Sequence, residues 1–252
     1  MQQYHSQHGS RPGASPDLPS RAAKRADAGL VKRDRIAVLG MAAALGIALV
    51  LAAIVLGLMG TGTKAIVGAL RLTARWSFLL FWMAYAAGPL AVLFGPAFAP
   101  LARYAREFGL AYAAAQLVHL GLVVWLFRLS PQPPLSGWPL AFFAIGMAWT
   151  YVLAVSSFPP WSRLLGARSL RLLRLGGMNY ILLAFADDFV HAVMGPGARF
   201  GSLAYDLAYV PFLALLALAP LLRLAAGVRK RRRTLKAVSV MLMRRAASGT
   251  PG

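Results

Sequence analysis

The side chains that invite chemistry in this chain are those set where lipid-compatible residues surround them. His119 is the only side chain that titrates near neutral pH in the run YAAAQLVHLGLVVWLF, Tyr112 to Phe127. A histidine buried in an apolar helix has two uses. It can be a structural group whose ring N–H is taken up by a neighbour, or it can bind a metal through one nitrogen while a hydrogen bond steadies the other. Gln116 precedes it by three residues, which places both on one helix face and makes the amide a candidate partner. A second group, DDFVH, contains Asp187, Asp188 and His191. Spacings of four and three bring both carboxylates near the imidazole on successive turns. Two adjacent acids at membrane depth repel, so pairing or protonation of one is expected, with Arg199 or His191 as partner. Asp206 is expected at a similar level. These acids read as a proton or cation entry site, as a polar rim above a cofactor, or as the water-exposed end of a helix.

The elements that carry these residues follow from composition. Of 252 residues, 59% are hydrophobic and 13% charged, and the mean hydropathy is +0.61. That balance belongs to a polytopic membrane protein rather than a soluble domain. A crossing helix needs about 20 predominantly apolar residues. Six such stretches are present: Ile36 to Met59, Trp76 to Leu101 (ending near Gly95 and Pro96), Phe108 to Phe127, Trp138 to Phe158, Leu172 to Met194 and Ser202 to Leu222. Pro211 and Pro220 are expected to bend the sixth. The fold class is therefore all-α, a bundle of about six transmembrane helices spanning 36–225. It is flanked by a disordered basic tail over 1–35 and a second basic tail over 226–252. Lys64, Arg71 and Arg75 fall between the first two stretches, in GTKAIVGALRLTARW, which reads as a short helix lying on the outer surface.

Charge orients the bundle. With the N-terminus inside, the inner segments hold 22 Lys and Arg and the outer ones five. Both termini are thus expected in the cytoplasm, across a bacterial inner membrane. The net charge of +20 is concentrated in the tails and inner connections, with no basic module shaped for base readout, so nucleic-acid binding is not expected. The run Arg229 to Arg233 and the following LKAVSVMLMRRA read as a contact for anionic lipid headgroups, the latter as an amphipathic helix. The chain has no cysteine, so a disulfide framework or a cysteine-held iron–sulfur cluster is excluded.

Two local patterns resemble the ferric reductase-like transmembrane domain family, which includes the heme-binding membrane subunit of the bacterial methionine sulfoxide reductase system. REFGL, Arg106 to Leu110, opens the third span and places His119 ten residues after Gly109. LGARSLRLLRLGG, Leu165 to Gly177, precedes the fifth. The resemblance covers about residues 60–225 and implies a membrane electron-transfer subunit. Such a subunit holds heme b, takes electrons from a separate flavoprotein and passes them to a periplasmic redox partner. His119 is the one family ligand position that carries over. Leu173 or Arg174, Ala186 or Asp187, and Pro133 stand where the family's other histidines fall. His191 is the remaining candidate for a second axial ligand. Two other functions stay open at this level: a heme-free structural or assembly partner in a membrane complex, and a small ion or proton permease using Asp187, Asp188 and Asp206.

Overall fold

The computed structural model describes residues 21–131, 134–158, 161, 164–194 and 203–247. Among these there are helices and no strands: α1 (Arg21–Met59), α2 (Thr63–Phe94), a 3-10 turn (Gly95–Phe98), α3 (Ala99–Arg103), α4 (Ala105–Leu129), α5 (Gly137–Ser156), α6 (Gly166–Met194) and α7 (Leu203–Ala247). Contacts divide the chain into Met1–Ile36 and Ala37–Gly252. Of the first unit, the opening turns of α1 are described, helical from Arg21; the tail expected over 1–35 otherwise lies outside the described residues. The second unit is the bundle.

Five segments of the described helices are long and apolar enough to cross a membrane: 33–59, 63–103, 105–129, 137–156 and 209–243. The chain is a membrane protein. The fifth predicted span falls on α6, which has 29 residues but also carries Arg168, Arg171, Arg174, Asp187 and Asp188. These charges keep α6 out of the purely apolar set, so the placing of both termini on one side depends on α6 crossing as well. Much of the apolar surface faces outward. Val50, Ile54 and Leu58 on α1 are 58%, 51% and 82% exposed, as suits side chains surrounded by lipid rather than water.

The principal difference from the expected layout is α2. The amphipathic segment and the second span are one continuous helix rather than a surface helix followed by a span. The physical reason lies in Ile66 and Ala69, which are fully buried against Ala52 of α1 and Leu122 and Leu126 of α4. Their spacing from Thr73 and Ser77 keeps one small, apolar face turned into the bundle. That packing leaves Arg75 half-buried beside α7, while Arg71 stays exposed. At its far end α2 stops at Gly95, whose φ of 77° is open to glycine at little cost, and Pro96 then prevents continuation.

Without water to expel, helices in lipid associate through close packing and interhelical hydrogen bonds. Both devices are present. Ala44, Ala48 and Ala52 form a small-residue stripe on α1, and Trp76 Nε1 on α2 donates to the Ala44 carbonyl at 3.1 Å. Gly146 and Gly177 let α5 and α6 approach, since a Cβ on Gly177 would stand 2.8 Å from the Trp149 ring. The centre is aromatic. Phe78 of α2 meets Phe185 and Phe189 of α6 edge-on at 5.2 and 5.0 Å, and Phe81 meets Tyr112 of α4 at 5.4 Å. Such pairs each contribute about 0.5–1.5 kcal/mol beyond their buried area.

Beyond Ala226, α7 continues as a helix whose residues 227–243 are all exposed. The basic run Arg229 to Arg233 and the segment after it therefore extend the last span rather than forming a separate helix. Arg229 donates to the Leu93 carbonyl at the end of α2.

Candidate functional site

His119 sits on the face of α4 turned to α2. Its Nδ1 is 3.2 Å from Thr73 Oγ1. The threonine hydroxyl lies 2.9 Å from the Ala69 carbonyl and 3.1 Å from that of Leu70, so its single proton is directed to its own helix backbone. The hydroxyl oxygen is then left to accept, which puts the imidazole proton on Nδ1 and the lone pair on Nε2. The Thr73 bond satisfies this half-buried polar group as the structural use of His119 requires, and it is also the steadying bond a metal-bound imidazole would need.

Gln116 is not the histidine's partner, although the i, i+3 spacing suggested it. Its Nε2 donates to Tyr112 Oη at 3.3 Å, one turn earlier on the same helix. Tyr112 is in turn 3.1 Å from Thr150 Oγ1 on α5, whose hydroxyl also bonds the Gly146 carbonyl at 3.0 Å. This buried chain links α4 to α5. The amide chose the tyrosine because Tyr112 and Gln116 share the face turned to α5, while His119 is turned to α2.

Asp187 and His191 come together as their spacing requires. His191 Nδ1 lies 3.3 Å from Asp187 Oδ1 and 2.9 Å from the Asp187 carbonyl, with side chains 72% and 39% exposed. Asp188, also exposed, interacts electrostatically with Arg71 and Arg75 of α2. Arg75 stacks over the Tyr209 ring of α7 at 4.4 Å. This end of the bundle is thus a mixed-charge cluster with an accessible edge. The side chain of Asp206, and all of Arg199 and Pro133, lie outside the described residues.

A third polar group joins α2, α6 and α7. Tyr85 Oη donates to Asn179 Oδ1 at 2.8 Å, and Arg223 Nη1 donates to the same oxygen at 3.0 Å. The Arg223 guanidinium also lies over the Tyr85 ring at 3.9 Å, which ties α2, α6 and α7 together. The signal available for this group was the presence of hydrogen-bonding side chains, Tyr85 and Asn179, within otherwise apolar stretches.

The residues present do not fit a heme clamped between two imidazoles. Such a macrocycle needs a slot between the helices carrying its ligands, yet Phe81, Tyr112 and Phe185 occupy the interior between α4 and α6 in mutual ring contact. His191 turns back onto its own helix, and no histidine lines the cavity between α2, α4, α5 and α6 or the one between α2, α6 and α7. Among the described residues, no group of three or more His, Asp or Glu side chains is arranged to hold a metal ion. Compared with known proteins, the chain matches no family model, no curated protein and no solved structure significantly.

Proposed function

We propose that this chain is a heme-free structural or assembly partner within a membrane complex, set in a bacterial inner membrane with both termini cytoplasmic. The observation that carries the reading is the aromatic interior. Phe81, Tyr112 and Phe185 are buried in mutual ring contact between α2, α4 and α6, where a cofactor clamped by these helices would need room. His119 then serves as an interhelical strut, holding α4 to α2 through Thr73. Other polar groups of the bundle join helices in the same way, Trp76 to α1, Tyr112 to Thr150 and Arg223 to Asn179, as interhelical hydrogen bonds do in lipid. The exposed basic extension of α7 supplies the outward contact: its arginines attract the anionic headgroups of the inner leaflet. Orientation follows from the excess of Lys and Arg on the inner segments.

One observation favours a second reading, a heme-binding electron-transfer subunit of the ferric reductase-like kind served by a separate flavoprotein. The Thr73 bond leaves Nε2 of His119 with its lone pair, which is the state an axial ligand requires. When bound, a heme would supply one-electron transfer. The permease reading is disfavoured by Arg71 and Arg75, whose positive charge beside Asp188 opposes cation entry.

An absorbance spectrum of protein purified in detergent from heme-replete cells separates the two readings. The structural reading expects no Soret band in wild type or His119→Ala, with the variant less stable. A stoichiometric band that disappears in His119→Ala overturns it and establishes the second.

A further inference from the structure

A cleft of about 490 Å³ lies between α2, α6 and α7, within the range of about 300–1,000 Å³ that small-molecule pockets occupy. Leu182, Leu213 and Leu216 make its walls apolar, and Ala186 and Ala217, small residues from α6 and α7, leave it room. Leu183 and Ala217 are exposed, so the cleft opens sideways to the surface that lipid covers. Its polar end is the hydrogen-bonded pair Tyr85 and Asn179, both of which line it. From Asn179 to Ala186 the cleft follows about 10 Å of helix.

Arg223 stands at that polar end. Its Nη1 donates to Asn179 Oδ1 at 3.0 Å, its Nη2 to Met178 Sδ at 3.9 Å, and its guanidinium lies 3.9 Å over the Tyr85 ring. All three neighbours are uncharged, and no carboxylate among the described residues pairs with it. A guanidinium carries five N–H donors, of which these contacts use two. The exposed Asn179 amide accepts twice through Oδ1, which leaves its Nδ2 protons free beside the guanidinium. A cation at the edge of an apolar phase is costly without a counter-ion, so an anion is the partner this position calls for.

The surroundings select the kind of anion. Asn179 meets Arg223 while Phe189 meets Phe212, so α6 and α7 run antiparallel. The start of α6, with Arg168, Arg171 and Arg174, therefore lies at the same end as Arg229 to Arg233 of α7, and Asp187 and Asp188 lie toward the other. From Arg223 to Arg229 is about 9 Å of helix, so Arg223 sits just inside this basic end. A phosphate arriving there meets guanidinium donors that match its oxygens, whereas a head that also carries an ammonium meets like charge. Basic clefts between membrane helices have the character of anionic headgroup sites.

We propose that this cleft holds one anionic phospholipid, with its phosphate at Arg223 and Asn179 and an acyl chain along Leu182, Leu213 and Leu216. The site goes beyond the general headgroup attraction of the basic run, and it does not depend on the heme-free reading.

The full chain is purified in dodecyl maltoside and titrated with dioleoyl phosphatidylglycerol or dioleoyl phosphatidylcholine, while native mass spectrometry counts the bound lipids. Wild type is expected to take up a first phosphatidylglycerol with a Kd at least about ten-fold below that for phosphatidylcholine and for later phosphatidylglycerols, as a charge-assisted contact gives. Arg223→Gln is expected to weaken that first binding by about ten-fold or more, and Arg223→Lys to restore part of it. Ala217→Phe, at an exposed position of the cleft, keeps the cation but fills the space, and is expected to weaken the first binding as well. The triple variant Arg231→Gln, Arg232→Gln, Arg233→Gln removes the general attraction of the basic run. It is expected to lose later, weaker lipids and keep the first; loss of the first there overturns the proposal. Equal affinity of wild type for the two lipids, no distinguishable first site, or a first site unchanged in Arg223→Gln also overturns it. If Arg223→Gln fails to fold, an unchanged first site in Ala217→Phe does so. Inorganic phosphate in excess is expected to leave the lipid in place, and displacement would assign the cleft to a free anion instead.

Discussion

Gly177 and its neighbour Gly176 provide a test of how α5 and α6 are joined. Both are glycines in the same helix, one residue apart, and differ in what stands beside them. A methyl group on Gly176 meets nothing within 4 Å, whereas one on Gly177 lies 2.8 Å from Trp149 Cε3 and 3.0 and 3.2 Å from Leu153 Cδ1 and Cγ. Carbon atoms at rest are separated by about 3.5–4.0 Å, so Gly177→Ala forces the helices apart or drives Trp149 off its rotamer. Trp149 and Leu153 are themselves packed against the aromatic core, which limits their retreat. Overpacking of this kind costs about 1–3 kcal/mol. Replacing glycine by alanine within a helix also returns up to about 1 kcal/mol of propensity. That gain is common to both positions and cancels in the comparison. Gly176→Ala is therefore expected to equal or exceed wild type, with Gly177→Ala about 1–3 kcal/mol below it. Unfolding in mixed micelles by titration with dodecyl sulfate, followed by tryptophan fluorescence, measures both. A Gly177→Ala protein as stable as Gly176→Ala would refute the close approach of α5 and α6 at this point.

Tyr112→Phe is expected to destabilise the bundle by about 1–3 kcal/mol, because Gln116 loses its acceptor and its Oε1 already has no partner. Adding Gln116→Leu to that variant should recover most of the loss in the same titration, and failure to recover would show that the amide was not the cause. His191→Ala should leave stability within about 0.5 kcal/mol of wild type, since its contact with Asp187 lies at an exposed edge of α6.

The spans were legible because each rests on a local property, the length of an uncharged apolar run. The helices begin and end within a few residues of the expected limits wherever glycine or proline punctuates the chain, as at Gly95 and Pro96. Charged residues account for the misplaced boundaries: α1 starts earlier and α7 ends later than the apolar runs, and α2 starts earlier because Arg71 and Arg75 read as marks of a surface helix. Burial of Ile66 and Ala69 outweighed that signal, and the charges were accommodated by Asp188 and the Tyr209 ring. The candidate site was legible only in part. His119 stood out as a polar residue in an apolar run, but its partner Thr73 is 46 residues away on another helix.

Composition and residue order by themselves determined that this is an all-helical membrane protein, roughly where each helix lies, and which polar residues are carried into the bundle. Tertiary structure alone decided which of those residues meet: His119 with Thr73, Gln116 with Tyr112, and Tyr85 and Arg223 with Asn179. The physical reason is the solvent. A helix in water shows its inward face as an apolar stripe, but a helix in lipid is apolar all round and its sequence does not mark which side turns inward. That choice is made by small residues and hydrogen bonds between helices, and those are properties of pairs of helices rather than of any one segment.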